Sequence, residues 1–206
     1  MIAGLDAALG AHRLFVSGAL HEGETTLILL SPDEPGFWDH VTAQPEFADD
    51  APDPLDRWSA RVVGAIATQF GAGACYPFEG PPWHPFVTWA IRSGQSFPSP
   101  VHMTVHARMG LWASLRGALV LPGRLALPAP ATSPCIGCDA PCMTACPVGA
   151  LSPAGYDVAS CHAHLDGPRG ASCRDFGCLA RHACPAGQSY GRLARQSAWH
   201  MRQFHP

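Results

Sequence analysis

Eight cysteines crowd into the C-terminal part of the chain: Cys135, Cys138, Cys142, Cys146, Cys161, Cys173, Cys178 and Cys184. The first four stand in Cys135-Ile-Gly-Cys138-Asp-Ala-Pro-Cys142-Met-Thr-Ala-Cys146-Pro147. A Cys-x2-Cys pair sits on a tight turn, so both thiolates reach one inorganic centre. Soft thiolates select iron–sulfur clusters, zinc or copper(I). Zinc knuckles need only two such pairs. Here a third and a fourth cysteine follow at short spacing, and the fourth precedes proline. Proline fixes its own φ and pushes the residue before it toward an extended conformation. That geometry swings the Cys146 thiolate away from the turn that holds the other three. Structural zinc remains an alternative for such a sulfur-rich set, and so does a disulfide framework if the chain is secreted.

The stretch Cys146-Pro-Val-Gly-Ala-Leu151 resembles the segment that carries the fourth cysteine of bacterial-type two-cluster ferredoxins, and a second Cys-Pro, Cys184-Pro185, stands downstream. In that family the fourth cysteine of a run serves the other cluster. The resemblance therefore implies one [4Fe–4S] cluster on Cys135, Cys138, Cys142 and Cys184. It implies another on Cys161, Cys173, Cys178 and Cys146. Two features depart from the pattern. Three residues, not two, separate Cys138 from Cys142, and the second half is spaced Cys161-x11-Cys173-x4-Cys178-x5-Cys184. The second set is expected to hold a four-iron or a three-iron cluster.

A wider resemblance follows from the order of parts: alternating strand, proline-rich linker, then the cysteine runs with Cys161 set apart. That order is similar to the epoxyqueuosine reductases and, more remotely, the reductive dehalogenases. In those enzymes two clusters feed electrons to a corrinoid held by a nitroreductase-like domain. The segment from His106 to Leu121 is similar in shape to the strands before their first cluster. The N-terminal part is much shorter here, and no residue matches their catalytic acid.

The rest of the chain must position these thiols. The segment 121–134 contains four prolines and reads as a semi-rigid linker, placing a domain boundary near residue 130. Up to residue 134 there are 7 arginines and 12 acids, net −5; beyond it there are 6 arginines and 4 acids, net +2. Residues 1–130 are expected to form a small α+β domain and residues 131–206 a ferredoxin-like two-cluster domain with a basic tail. In the first domain, helices are expected over 3–10, 37–47 and 83–94. A longer one starts at Asp53-Pro54, with Asp53 as N-cap, and runs to Gly71 on the apolar stripe Trp58, Val62, Val63, Ile66, Ala67 and Phe70. Strands are expected over 13–19, 25–30, 100–106 and 111–121. Glu22-Gly23 turns between the first two, and Met109-Gly110 makes a hairpin between the last two.

Other chemistry is sparse. His102 and His106 share one face if they lie in a strand, a weak metal-ligand pattern. Trp83, His84, Phe86 and Trp89 form an aromatic cluster that reads as core or as the lining of a flat pocket. Cys75 reads as a small core residue. The tail holds Tyr190, Arg192, Arg195, Trp199, His200, Arg202 and His205. It is expected to form a helix packing back through Leu193, Trp199 and Met201, with an acidic docking partner as the alternative reading. All 13 basic residues are arginine, which excludes a Schiff-base lysine and a standard P-loop. No apolar run reaches 18 residues, and the N-terminus lacks a signal-peptide pattern, so a cytoplasmic protein without a membrane partner is expected. A net charge of −3 argues against a general nucleic-acid binder. The expected role is electron transfer to a redox protein, with the N-terminal domain selecting the partner. A corrinoid-dependent reductase and a structural metal module are the alternatives.

Overall fold

Alternating apolar residues at the start of the chain build a sheet, and the computed structural model describes residues 2–206. Helix α1 (Leu5–Gly10) leads into strand β1 (Leu14–Glu22), which turns at Gly23 and Glu24 into β2 (Thr25–Pro32). Helix α2 (Phe37–Thr42) and a 3-10 turn (Pro45–Phe47) follow, then α3 (Pro54–Gln69), β3 (Gly73–Cys75) and α4 (Phe86–Arg92). The chain then passes through β4 (Ser96–Pro98) and β5 (Thr104–His106) and returns as β6 (Gly117–Pro122). The C-terminal part contains β7 (Leu151–Ser152), β8 (Gly155–Tyr156), α5 (Val158–Asp166), α6 (Ala171–Phe176), α7 (Leu179–His182) and α8 (Ala194–Phe204). Helix and strand are thus mixed throughout. No helix among the described residues is long and apolar enough to cross a membrane.

The chain divides into two units. The first holds the residues up to Ser96 together with Ser114–Ala131, and the second holds Phe97–Ala113 and Thr132–Pro206. The sequence placed residues 97–113 in the N-terminal domain. In the structure they belong to the second unit, because Val101, Val105 and Leu111 are buried with Cys142, Leu151, Ala180 and Cys184 in its core.

The first unit is an antiparallel sheet of order β1-β2-β6-β3. Central strand β2 is buried on both faces, so it reads as a continuous apolar run rather than an alternation. One face carries Leu27, Leu29 and Ala118 against Phe86, Trp89 and Ala90 of α4. On the other face α3 crosses β6 and β3 so closely that a Cβ on Gly117 would lie 3.2 Å from Val63. Buried Leu55, Trp58, Val62, Val63, Ile66 and Ala67 recur along α3 at helical spacing. The helix stops at Gly71, whose φ is +62°. There the amide of Ala72 donates to Ala67 O at 2.8 Å and that of Gly71 to Thr68 O at 3.3 Å, the six-to-one and five-to-two bonds of a Schellman end.

Several local expectations are corrected. Asp53 makes no side-chain cap and has φ +53°. The helix start is held instead by Arg57, which donates to Pro52 O and forks onto both carboxylate oxygens of Asp49 at 2.7 Å. That guanidinium holds the Asp49 carboxyl at about 2. Residues 100–106 and 111–121 do not form a hairpin with each other: β5 pairs with β4, and β6 pairs with β2 and β3. Met109-Gly110 closes only the small bridge His106–Gly110. Trp83 lies outside α4 and is 63% exposed, so the aromatic cluster reduces to His84, Phe86 and Trp89.

Leu29 is fully buried at the centre of the sheet, and Val87 is exposed on α4. Leu29→Ala is expected to lower the stability of the first unit by about 2–5 kcal/mol, and Val87→Ala to change it by less than about 0.5 kcal/mol. Urea unfolding followed by circular dichroism reads both, and equal losses would contradict this packing.

Candidate metal centre

The second unit is built from short elements around a small core that includes thiols. Cys142 and Cys184 are among its seven buried members, and Cys135 and Cys178 pack against them. The segment from Cys135 onward contains only turns and a 3-10 helix (Pro141–Met143) up to β7. Pro141 starts that 3-10 helix, and Cys142 sits in its middle, buried.

Four cysteines line one cavity of about 90 Å³: Cys135, Cys138, Cys142 and Cys184. Their companions include Pro100, Val105, Leu111, Pro134, Pro141 and Pro185. The hollow suits a compact inorganic group and is far below the roughly 300–1,000 Å³ of clefts for organic ligands. Burial pushes the Cys135 thiol up, the negative charge of Cys138 and Cys184 pushes it further, and a hydrogen bond from Ser133 opposes them. Burial likewise raises Cys142, followed by the charges of Cys184 and Cys135; a backbone hydrogen bond at Cys142 opposes them, and the charge of Cys138 adds to the rise. The four sulfurs are therefore electrostatic neighbours. Ser99 Oγ, which lines the same cavity, is buried without a hydrogen-bond partner among the described residues.

The other four form a second group. Burial raises the Cys161 thiol, a hydrogen bond from Tyr156 opposes it, and the charges of Cys178 and Cys146 raise it further. Burial raises Cys173, the backbone amide of Leu179 opposes by donating to it, and Cys178, Cys161 and Cys146 add to the rise. Local structure explains how the irregular spacing closes. Asp157 caps α5 by accepting from the Ser160 amide at 3.0 Å, which fixes Cys161 one turn into the helix. The eleven residues before Cys173 hold the rest of α5, a 3-10 turn (Pro168–Gly170) and the start of α6. A Cβ on Gly170 would lie 2.2 Å from His164 O, so only glycine lets α6 fold back this tightly. Cys178 then stands at the N-cap of α7, its carbonyl accepting from Arg181 and His182.

Sequence reasoning missed the groups that surround the second set. Tyr156 is brought to Cys161 by the β7–β8 turn, for which the sequence carries no ligand-like signal. Arg181 follows Cys178 by three residues on α7, a helical spacing that was readable. Helix α8 packs on α6, which carries Cys173, and its Gln196 is fully buried with neither amide atom partnered among the described residues. The tail helix buries Gln196, Ser197 and Ala198, whereas Leu193, Trp199 and Met201 are only half-buried, which corrects the expected face.

The remaining candidates do not join a centre. His102 has φ +57° outside β5, and its Nε2 meets Pro153 O at 2.9 Å. His106 Nδ1 accepts from the amides of Arg108 and Met109 at 3.0 and 3.2 Å, so the two rings do not form a ligand pair. Cys75 is buried in the first unit's core. Among the described residues, no group of three His, Cys, Asp or Glu side chains is arranged to hold a single metal ion. Compared with protein-family models, curated proteins and solved structures, the chain matches none.

Burial above all, with the charge of Glu79, pushes the Cys75 thiol up to about 11. At pH 8 about one such thiol in a thousand is ionised, and only the thiolate reacts. In metal-free protein treated with iodoacetamide, Cys75 is expected to be alkylated last of the nine cysteines. Its rate should rise as pH climbs toward 11. Peptide mass mapping checks this, and labelling of Cys75 as fast as half-buried Cys138 would contradict it.

Proposed function

We propose that the second unit is an electron-transfer module carrying two [4Fe–4S] clusters, one on Cys135, Cys138, Cys142 and Cys184, the other on Cys146, Cys161, Cys173 and Cys178. The observation that carries this reading is how the eight thiols divide. Cys184 lines one cavity with the early three. Cys161 feels the charges of Cys178 and Cys146, and Cys173 those of Cys178, Cys161 and Cys146, so the two sets of four interleave along the chain. The donor chemistry suits the group, since four thiolates on each side match the ligand need of a four-iron cluster. Ser99 Oγ, in the wall of the first cavity, adds a buried polar atom that lacks a partner among the described residues.

Bound clusters supply one-electron reduction and oxidation at potentials set by charge, exposure and hydrogen bonds to sulfur. The chain's own residues hold the ligands, and prolines with Val105 and Leu111 line the first group. One electron enters from a donor protein, which is oxidised. One leaves to an acceptor, which is reduced; no bond forms or breaks in this protein. From Cys135 onward six arginines face four acids, a balance that steers an acidic redox partner.

Protein purified without oxygen is expected to contain about eight iron and eight acid-labile sulfide per chain. Cys146→Ser and Cys184→Ser should each remove about four of both, and the losses should fall on different clusters. Zinc at full occupancy without sulfide would overturn the reading.

A further inference from the structure

The wall of the first cavity holds one polar side chain besides its thiols. Apart from Cys135, Cys138, Cys142 and Cys184, every lining residue except Ser99 is proline, alanine, valine or leucine. The Ser99 hydroxyl oxygen is buried, yet it makes no hydrogen bond with any of the four sulfurs or with any other described residue. A buried hydroxyl left in that state destabilises the structure around it. It has one proton to give and, in the cavity as the chain alone builds it, no acceptor to give it to.

Ser99 is held where it is by its backbone. Its amide donates to Met103 O at 3.2 Å, and its carbonyl accepts from the His102 amide at 3.2 Å. These bonds close the turn that leads into β5. Val101, inside that turn, is fully buried in the core that includes Cys142 and Cys184. His102 takes φ +57°, and its Nε2 meets Pro153 O at 2.9 Å, which ties the turn to the loop between β7 and β8. Both backbone groups of Ser99 are thus engaged, and rotation about χ1 is the freedom left to its hydroxyl.

Two ways of filling the hollow answer this hydroxyl differently. Zinc on four thiolates is complete with its four sulfurs, and those sulfurs leave Ser99 without a partner. An iron–sulfur cluster brings inorganic sulfides as well, and these are further acceptors inside the cavity. We infer that Ser99 donates its hydroxyl proton to an inorganic sulfide of the centre held by Cys135, Cys138, Cys142 and Cys184, and so raises that centre's potential. Reduction adds one negative charge to the centre, and a hydrogen bond to sulfur favours the more negative state. The inference rests on the two-cluster reading above. It adds a residue that touches the cofactor, and a reason for this cavity to prefer a sulfide-bearing cluster to zinc.

The test is a mediated redox titration of the cluster-loaded full-length protein, with electron–nuclear double resonance on the reduced state in heavy water. Ser99→Ala is expected to retain about eight iron and eight sulfide per chain. It should weaken reduction at one centre by about tenfold in equilibrium constant, or about 59 mV for one electron, and leave the other centre in place. One deuteron coupling of the unaltered protein should be missing from this variant. Ser99→Thr should keep both the potential and the coupling, and Ser99→Val should lose both. Threonine and valine match in shape, so that pair reads the hydroxyl even if Ser99→Ala does not load. In Cys184→Ser protein, expected to lack the first centre, Ser99→Ala should leave the remaining potential unchanged. Equal potentials and couplings in the loaded threonine and valine variants would overturn the inference while leaving two clusters standing. A shift that persists in the Cys184→Ser background would do the same. Protein that carries zinc and no sulfide would instead remove the two-cluster reading, and the acceptor for Ser99 with it.

Discussion

Four thiols drawn into one apolar hollow cannot all ionise unless a cation offsets their mutual repulsion. Cys135, Cys138, Cys142 and Cys184 line such a hollow, and burial and neighbouring sulfur charge act on the second set as well. Burial and neighbouring sulfur charge push Cys135, Cys142, Cys161 and Cys173 toward the neutral form. Under the proposed reading, a metal centre would reverse that balance by replacing the protons and would couple binding to folding. The second unit has good reason to need this help. Its helices are short, the longest being α8 at eleven residues, and isolated helices below roughly 12–15 residues are marginal in water. Its core includes the very thiols that the metal would organise.

The first unit stands in contrast. Its sheet is covered on both faces by helices, and its one cysteine is an inert core residue. Buried aliphatic and aromatic side chains form its core, and the Arg57–Asp49 and Arg61–Glu46 pairs tie the loop after α2 to α3. The second unit has its own apolar core, Val101, Val105, Leu111, Leu151 and Ala180, but two thiols are buried in it.

How much was legible follows from range. Short-range signals read well: the stripe along α3, the stop at Gly71, the turn between β1 and β2, and the core role of Cys75 all follow from neighbours in sequence. The Cys-x2-Cys spacing marked the first cavity for the same reason. Long-range pairing was not legible. β6 alternates in the way a hairpin partner of residues 100–106 would, yet its partners are β2 and β3, a choice made by burial that no local pattern encodes. Residues 97–113 join the second unit because Val101, Val105 and Leu111, with Phe97 and Met103 against them, fill a core otherwise short of apolar side chains. Asp53 and Pro54 carry a helix-start signal, but the backbone at Asp53 takes a left-handed conformation that aims its carboxylate elsewhere. Tyr156 reaches Cys161 through a two-strand turn, and Arg181 is fastened to Leu111, seventy residues earlier in the chain. Such second-layer partners depend on the finished fold.

The most direct measurement of the central claim is anomalous diffraction at the iron edge from crystals grown without oxygen. The account predicts two separate iron peaks, one bounded by Cys135, Cys138, Cys142 and Cys184 and the other by Cys146, Cys161, Cys173 and Cys178. A signal at the zinc edge in place of iron, or a single iron site holding cysteines from both groups, would contradict it.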